Sequence, residues 1–110
     1  MTSSCGKEEL VTAEVEYFNV VFPAKSRASS ISSEWYTLPF DMSQGSVNAY
    51  IMWGTDVWSQ LPSMLTTINP PMVVDYEYSG NKIKFNIFFA TGDLITLNNS
   101  TTERVKVVKL

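Results

Sequence analysis

Residues 72–90 carry an alternation that a pair of β-strands satisfies and a helix does not. Met72, Val74, Tyr76 and Tyr78 alternate with Val73, Asp75 and Glu77, and Ile83, Phe85, Ile87 and Phe89 alternate with Lys82, Lys84, Asn86 and Phe88. Successive strand side chains point to opposite faces, so period two gives each run one apolar face to bury. A helix would scatter the same residues around its axis. Ser79-Gly80-Asn81-Lys82 stands between the runs and supplies turn formers at its centre, so the segment reads as a hairpin. Its outer faces match as well, with Asp75 and Glu77 on one strand able to meet Lys82 and Lys84 on the other. Exposed pairs of this kind add only a few tenths of a kcal/mol and chiefly help set register.

The same period marks further strands. Residues 12–22 begin with Ala13, Val15 and Tyr17 read as inward and Glu14 and Glu16 as outward. The run then turns apolar on both faces through Phe18, Val20, Val21 and Phe22, as a bulge near Tyr17 or burial on both sides would produce. Trp35 to Phe40 reads as a short strand that Pro39 places at an edge or end. Val47, Ala49, Ile51 and Trp53 alternate, Leu94 to Leu97 is short, and Val105 and Val107 alternate with Arg104 and Lys106. Asp56 to Leu65 fits a short strand better than a helix, because Pro62 would interrupt the helical ladder. The Ser-rich stretch from Lys25 to Ser33 reads as a flexible loop, and Asn69-Pro70-Pro71 as a rigid one.

A chain of 110 residues has room for one domain, and nowhere does it sustain a 3.6-residue pattern. The expected fold is all-β: a single antiparallel β-sandwich over residues 11–110, after a flexible N-terminal arm over residues 1–10. A small β-barrel is the alternative.

Composition limits the chemistry. Histidine is absent, which removes the commonest general base, the usual serine and cysteine triads and most zinc sites. Cys5 is the single cysteine, so no internal disulfide can form. It has no base nearby in sequence to activate it. Glu14 with Glu16, and Asp75 with Glu77, read as solvated strand faces rather than acid–base pairs. Asp41, Asp56 and Asp93 fall in loops without the clustered oxygens a calcium site needs. The chain reads as a non-enzyme without metal or cofactor. Its net charge is −3, and its two arginines, Arg27 and Arg104, lie far apart. Nucleic acid, whose capture depends on clustered cations, is not an expected partner. No apolar run approaches the roughly 20 residues that cross a bilayer.

Aromatic residues crowd the middle of the chain: Trp35, Tyr36, Tyr50, Trp53 and Trp58. Large aromatics usually fill cores. Trp35, Tyr36 and Trp58 are the candidates for contact with a ligand or partner, and Trp58, out of phase with Val57 and Leu61, is the one expected to be most exposed. A weaker alternative has Trp35, Tyr50 and Trp53 lining the cavity of a ligand-binding barrel. Asn98-Asn99-Ser100-Thr101 holds two overlapping N-glycosylation patterns and reads as a polar loop.

Ser3-Ser4-Cys5-Gly6-Lys7-Glu8-Glu9 resembles the start of a mature lipoprotein of the Bacteroidetes type, in which small residues precede a lipidated cysteine and a polar tether follows. Val47-Asn48-Ala49-Tyr50, Trp58-Ser59-Gln60-Leu61-Pro62, Val74-Asp75-Tyr76-Glu77-Tyr78, Lys82-Ile83-Lys84-Phe85 and Arg104-Val105-Lys106-Val107-Val108 are similar to the small β-sandwich modules of such proteins. The likeness covers about half the chain and transfers no catalytic residue. It implies a cell-envelope address, outer membrane or periplasm, with Cys5 as lipid anchor and the only link to a membrane. Met1 to Ser4 has neither the charged start nor the apolar stretch of an export signal, so the anchor requires one encoded upstream.

The leading expectation is a non-catalytic envelope module acting in adhesion, assembly or glycan contact, with a protein or glycan partner or its own copies. The rival is a viral or phage structural subunit, such as a capsid decoration or tail component. There, exposed strand edges would mediate self-assembly.

Overall fold

The structure, a computed structural model, describes residues 13–52 and 56–110. The N-terminal arm with Cys5 lies outside the described residues, as does Trp53. Eleven strands follow in order among the described residues. They are β1 (Glu14–Phe22), β2 (Lys25–Ala28), β3 (Ile31–Ser32), β4 (Tyr36–Thr37), β5 (Val47–Met52), β6 (Trp58–Gln60), β7 (Ser63–Leu65), β8 (Met72–Ser79), β9 (Lys82–Phe89), β10 (Ile95–Leu97) and β11 (Thr101–Lys109). One sheet has the order β1-β11-β5-β6, and a second has β3-β9-β8-β7 with β4 also against β9. The ribbon β10-β2 stands apart. Every pairing is antiparallel and no sheet closes on itself, so the fold is a β-sandwich and not a barrel.

The two larger sheets face each other across an apolar core. Val20, Phe22, Ala49, Ile51, Val105 and Val107 enter it from the first sheet, and Ile31, Val74, Ile83, Phe85 and Ile87 from the second. Phe18 meets Phe85 edge-on with ring centres 6.1 Å apart. Tyr76 of β8 donates its hydroxyl proton to the carbonyl of Val47 on β5 at 3.3 Å. Burial of that ring pushes the Tyr76 hydroxyl above its ordinary pKa. Branched aliphatics fill the space a barrel cavity would occupy. Apolar surface removed from water there is the main stabilising term.

The hairpin forms as its alternation predicts. Ser79 pairs with Lys82, so Gly80 and Asn81 make a two-residue turn, and Gly80 takes a φ of 61°. That is the position in a hairpin turn where glycine is favoured. Glu77 faces Lys84, and their charged ends lie 3.8 Å apart.

Four expectations change. First, β1 has the opposite phase to the one its first residues suggest. Phe18, Val20 and Phe22 turn inward, while Val15 and Tyr17 are 41% and 51% exposed. Its pairing with β11 runs from Glu14 to Phe22 without a break, so there is no bulge. The larger apolar group at the end of the strand fixes which face is buried, and the start follows. Second, the Ser-rich stretch is not a free loop. β2 and β3 form there because distant partners hold them: Thr96 Oγ1 accepts from Arg27 N at 2.9 Å, and Ser33 Oγ accepts from Phe85 N at 3.0 Å. Third, of residues 35–40 only Tyr36 and Thr37 join a sheet. Leu38, Phe40 and Met42 are buried beyond it, tied to the hairpin tip by Leu38 N to Asn81 O and Met42 N to Gly80 O, both 2.7 Å. Fourth, residues 56–65 make two strands in two different sheets. Leu61 continues the ladder of β6 by donating to Ala49 O. Pro62, with no N–H to give, ends it and passes the chain across to β7.

Tyr36 closes the other side of the sandwich. Its hydroxyl accepts from Val21 N on the outer edge of β1 at 3.0 Å, and its ring lies 5.3 Å from that of Phe18. Tyr36→Phe leaves that edge N–H to water and will lower stability by about 0.5–1 kcal/mol. Urea unfolding will show this as a lower midpoint at unchanged slope. An unmoved midpoint would remove the latch.

Candidate binding face

The outward side of the first sheet gathers side chains of one chemical kind. Once Val20 and Phe22 set the phase of β1, its odd-numbered residues must face away from the core. Pairing then lays out the rows. Tyr17 faces Lys106, Lys106 faces Tyr50 and Tyr50 faces Gln60; in the next row Asn19, Arg104, Met52 and Trp58 stand side by side. Asn48 lies beyond, beside Val108.

These side chains contact one another. Tyr17 and Trp58 have ring centres 5.9 Å apart. Lys106 Nζ sits 4.7 Å from the Tyr50 ring centre and 4.8 Å from that of Trp58. The Arg104 guanidinium lies 5.9 Å from the Tyr17 ring centre, and Arg104 Nη1 donates to Asn19 Oδ1 at 3.5 Å. Gln60 Nε2 donates to Asn48 Oδ1 at 3.0 Å. Cation–π attraction, about 0.5–1 kcal/mol per exposed pair, holds the ammonium between two rings. No outward strand position of this sheet carries a carboxylate, and among the described residues neither Arg104 nor Lys106 is in an ion pair. In a chain of net charge −3, this face is locally cationic. It offers ring faces for stacking, two fixed cations, and amides that both donate and accept.

The outward side of the second sheet differs. Ser32 Oγ donates to Asn86 Oδ1 at 2.6 Å. Asn86 Nδ2 donates to Asp75 Oδ1 at 2.9 Å and to Glu77 Oε2 at 3.2 Å. Lys84 pairs with Glu77 and lies 5.1 Å from the Trp35 ring centre. Lys84, Glu77, Asp75 and Asn86 thus answer one another within the sheet.

The three aromatic candidates therefore separate. Trp58 belongs to the cationic face. Trp35 lies on the second sheet's side, beside a hollow of about 190 Å³ that it lines with Ser79 and Lys82. Tyr36 sits between the sheets as a latch. Trp58 is half-buried while Trp35 is 45% exposed, so the order of exposure expected from sequence is reversed. Val57 is exposed and Leu61 buried although they share a phase: Leu61 continues the inward phase of β6 with its N–H on Ala49 O, whereas Val57 precedes the strand. Cys5, the proposed anchor, lies outside the described residues.

Trp58 is the one member of this face that the sequence reading names as a contact; Asn19, Asn48 and Gln60 go unnoted as contacts, Tyr50 is read as lining a barrel cavity, and Tyr17, Arg104 and Lys106 are missed. Tyr17 is misread as inward with the start of β1. The signal for the other two is the alternation Arg104-Val105-Lys106-Val107, which puts both cations on one face. Only the pairing of β11 between β1 and β5 sets that face among aromatics. Comparison with protein-family models, curated proteins and solved structures finds no match to this chain.

Proposed function

We propose that this chain is a non-catalytic interaction module of the cell envelope that contacts glycan through the outward face of its first sheet. The observation that carries the reading is the cluster of Tyr17, Tyr50 and Trp58 around Lys106, flanked by Asn19, Asn48 and Gln60. Sugar rings have apolar faces that stack on aromatics and hydroxyls that bond to amides and cations. A rigid sheet holds these groups without the ordering cost a loop would add. The lack of histidine supports a binding role over a catalytic one. The envelope address, with Cys5 as lipid anchor, draws on the lipoprotein-like start.

Binding of an array of neutral and acidic oligosaccharides tests the reading. Trp58→Ala will weaken capture about tenfold or more, as truncation of a central aromatic anchor does. Its far-ultraviolet circular dichroism will stay that of the parent, because the side chain is outside the core. Equal binding by both proteins, or no capture of any glycan, would sink it.

A second reading, a self-assembling virion subunit, has one specific observation in its favour. Met64, Val73 and Phe88 pair into an apolar row across β7, β8 and β9, and Met64 is exposed. A stable symmetric oligomer by mass measurement would favour it; a monomer favours the glycan module.

A further inference from the structure

Resting on the glycan reading above, we infer that the cationic face selects acidic saccharides, specifically chains of uronic acid units. Amides alone can hold the hydroxyls of a neutral sugar, and among the described residues the two cations of this face have no carboxylate partner. Here Lys106 and Arg104 both project from β11, two residues apart and on one face. The sheet surface that holds them has no outward carboxylate, whereas on the opposite sheet Lys84 pairs with Glu77. Charge complementarity thus points to an anionic occupant.

Spacing narrows the class. The Lys106 ammonium lies less than one sugar ring's width from two aromatic centres, 4.7 Å from Tyr50 and 4.8 Å from Trp58. A sugar stacked beside Trp58 or Tyr17 brings its ring substituents to that ammonium, and an anionic group close to the ring answers its charge best. A uronate carries its carboxyl directly on a ring carbon, while a sulfate ester stands further out on an oxygen. Arg104 adds a planar fork that matches a carboxylate in two parallel hydrogen bonds. Two cations suffice for one or two uronate units. They are too few to track a nucleic-acid backbone, whose binding gains with each phosphate neutralised.

The test uses the whole chain and three probes: a galacturonic acid tetrasaccharide, its full methyl ester, and a sulfated neutral tetrasaccharide. The ester keeps the ring shape and removes the charge. At low salt the acid form will bind at least about tenfold tighter than the ester, and added salt will erode that preference. Lys106→Gln combined with Arg104→Gln will abolish the preference, so that acid and ester bind alike, whereas Trp58→Ala weakens both forms and keeps the preference. The parent comparison and its salt dependence need no variant, so a poorly folding mutant leaves the test intact. Equal binding of acid and ester overturns the acidic preference but leaves the glycan reading standing. Binding of neither form overturns the uronate assignment, and the glycan reading falls with it only if the sulfated sugar and the wider oligosaccharide array are left unbound too. Tighter capture of the sulfated sugar, or of a single-stranded oligonucleotide run as competitor, overturns the uronate assignment.

Discussion

Phe85→Ala will destabilise the protein by about 3–5 kcal/mol, the range for removing a large aromatic from a packed core. Phe85 is fully buried on β9, the strand against which β3, β4 and β8 all pair. Its ring meets Phe18 of the opposite sheet and Tyr76 of the neighbouring strand. Alanine there removes contacts from both layers at once, and the close packing around it can collapse only in part. Domains of this size have a total stability of about 5–15 kcal/mol, so the variant will sit near the threshold of unfolding. Urea titration will show a much lower midpoint with the slope retained. Phe85→Leu, which keeps most of the volume, will cost less than about 1.5 kcal/mol. A loss under about 1 kcal/mol for the alanine variant would mean the two sheets do not depend on this ring.

Gly45→Ala is the second large effect. Gly45 holds a φ of 84°, where any side chain is strained. A Cβ there would also collide with the backbone carbonyl oxygen of Leu110. That end of the chain is held close by Leu110 N donating to Ser46 O at 2.9 Å. Relieving the collision must push the last residue away and strain or break this bond. Conformational strain and the lost hydrogen bond together predict a loss of about 2–3 kcal/mol. Gly80→Ala is the matched control. Gly80 also has a positive φ, 61°, but nothing lies within 4 Å of its Cβ position, so only the strain remains, about 1 kcal/mol. The measurement is the difference between the two thermal midpoints. If both glycines prove equally tolerant of alanine, the close approach of Leu110 is wrong.

Legibility in the sequence followed the range of the interactions. The hairpin of β8 and β9 was readable because its alternation, its turn and its charge pairs all lie within one short stretch. β5 and β11 were readable for the same reason, their inner faces being marked by Ala49 and Ile51 and by Val105 and Val107. β2 and β3 were not readable, since the Thr96 hydroxyl and the Phe85 amide that hold them come from more than 50 residues away. β1 was readable as a strand but not in phase. Val15 and Tyr17 look like core residues until Phe18, Val20 and Phe22 claim the inner face. Of the binding face, Trp58 was readable as a candidate, while its partners depended on which strands lie side by side.

What the sequence determined by itself is the class of structure: period-two runs with one apolar face must pair and bury those faces, which requires sheets packed against each other. Tertiary pairing decided the rest. By setting β11 between β1 and β5, it placed Lys106 between rings more than 30 residues before it in the chain. No local pattern encodes that placement, because it is fixed by which edges and faces fit when the two sheets close on a shared core.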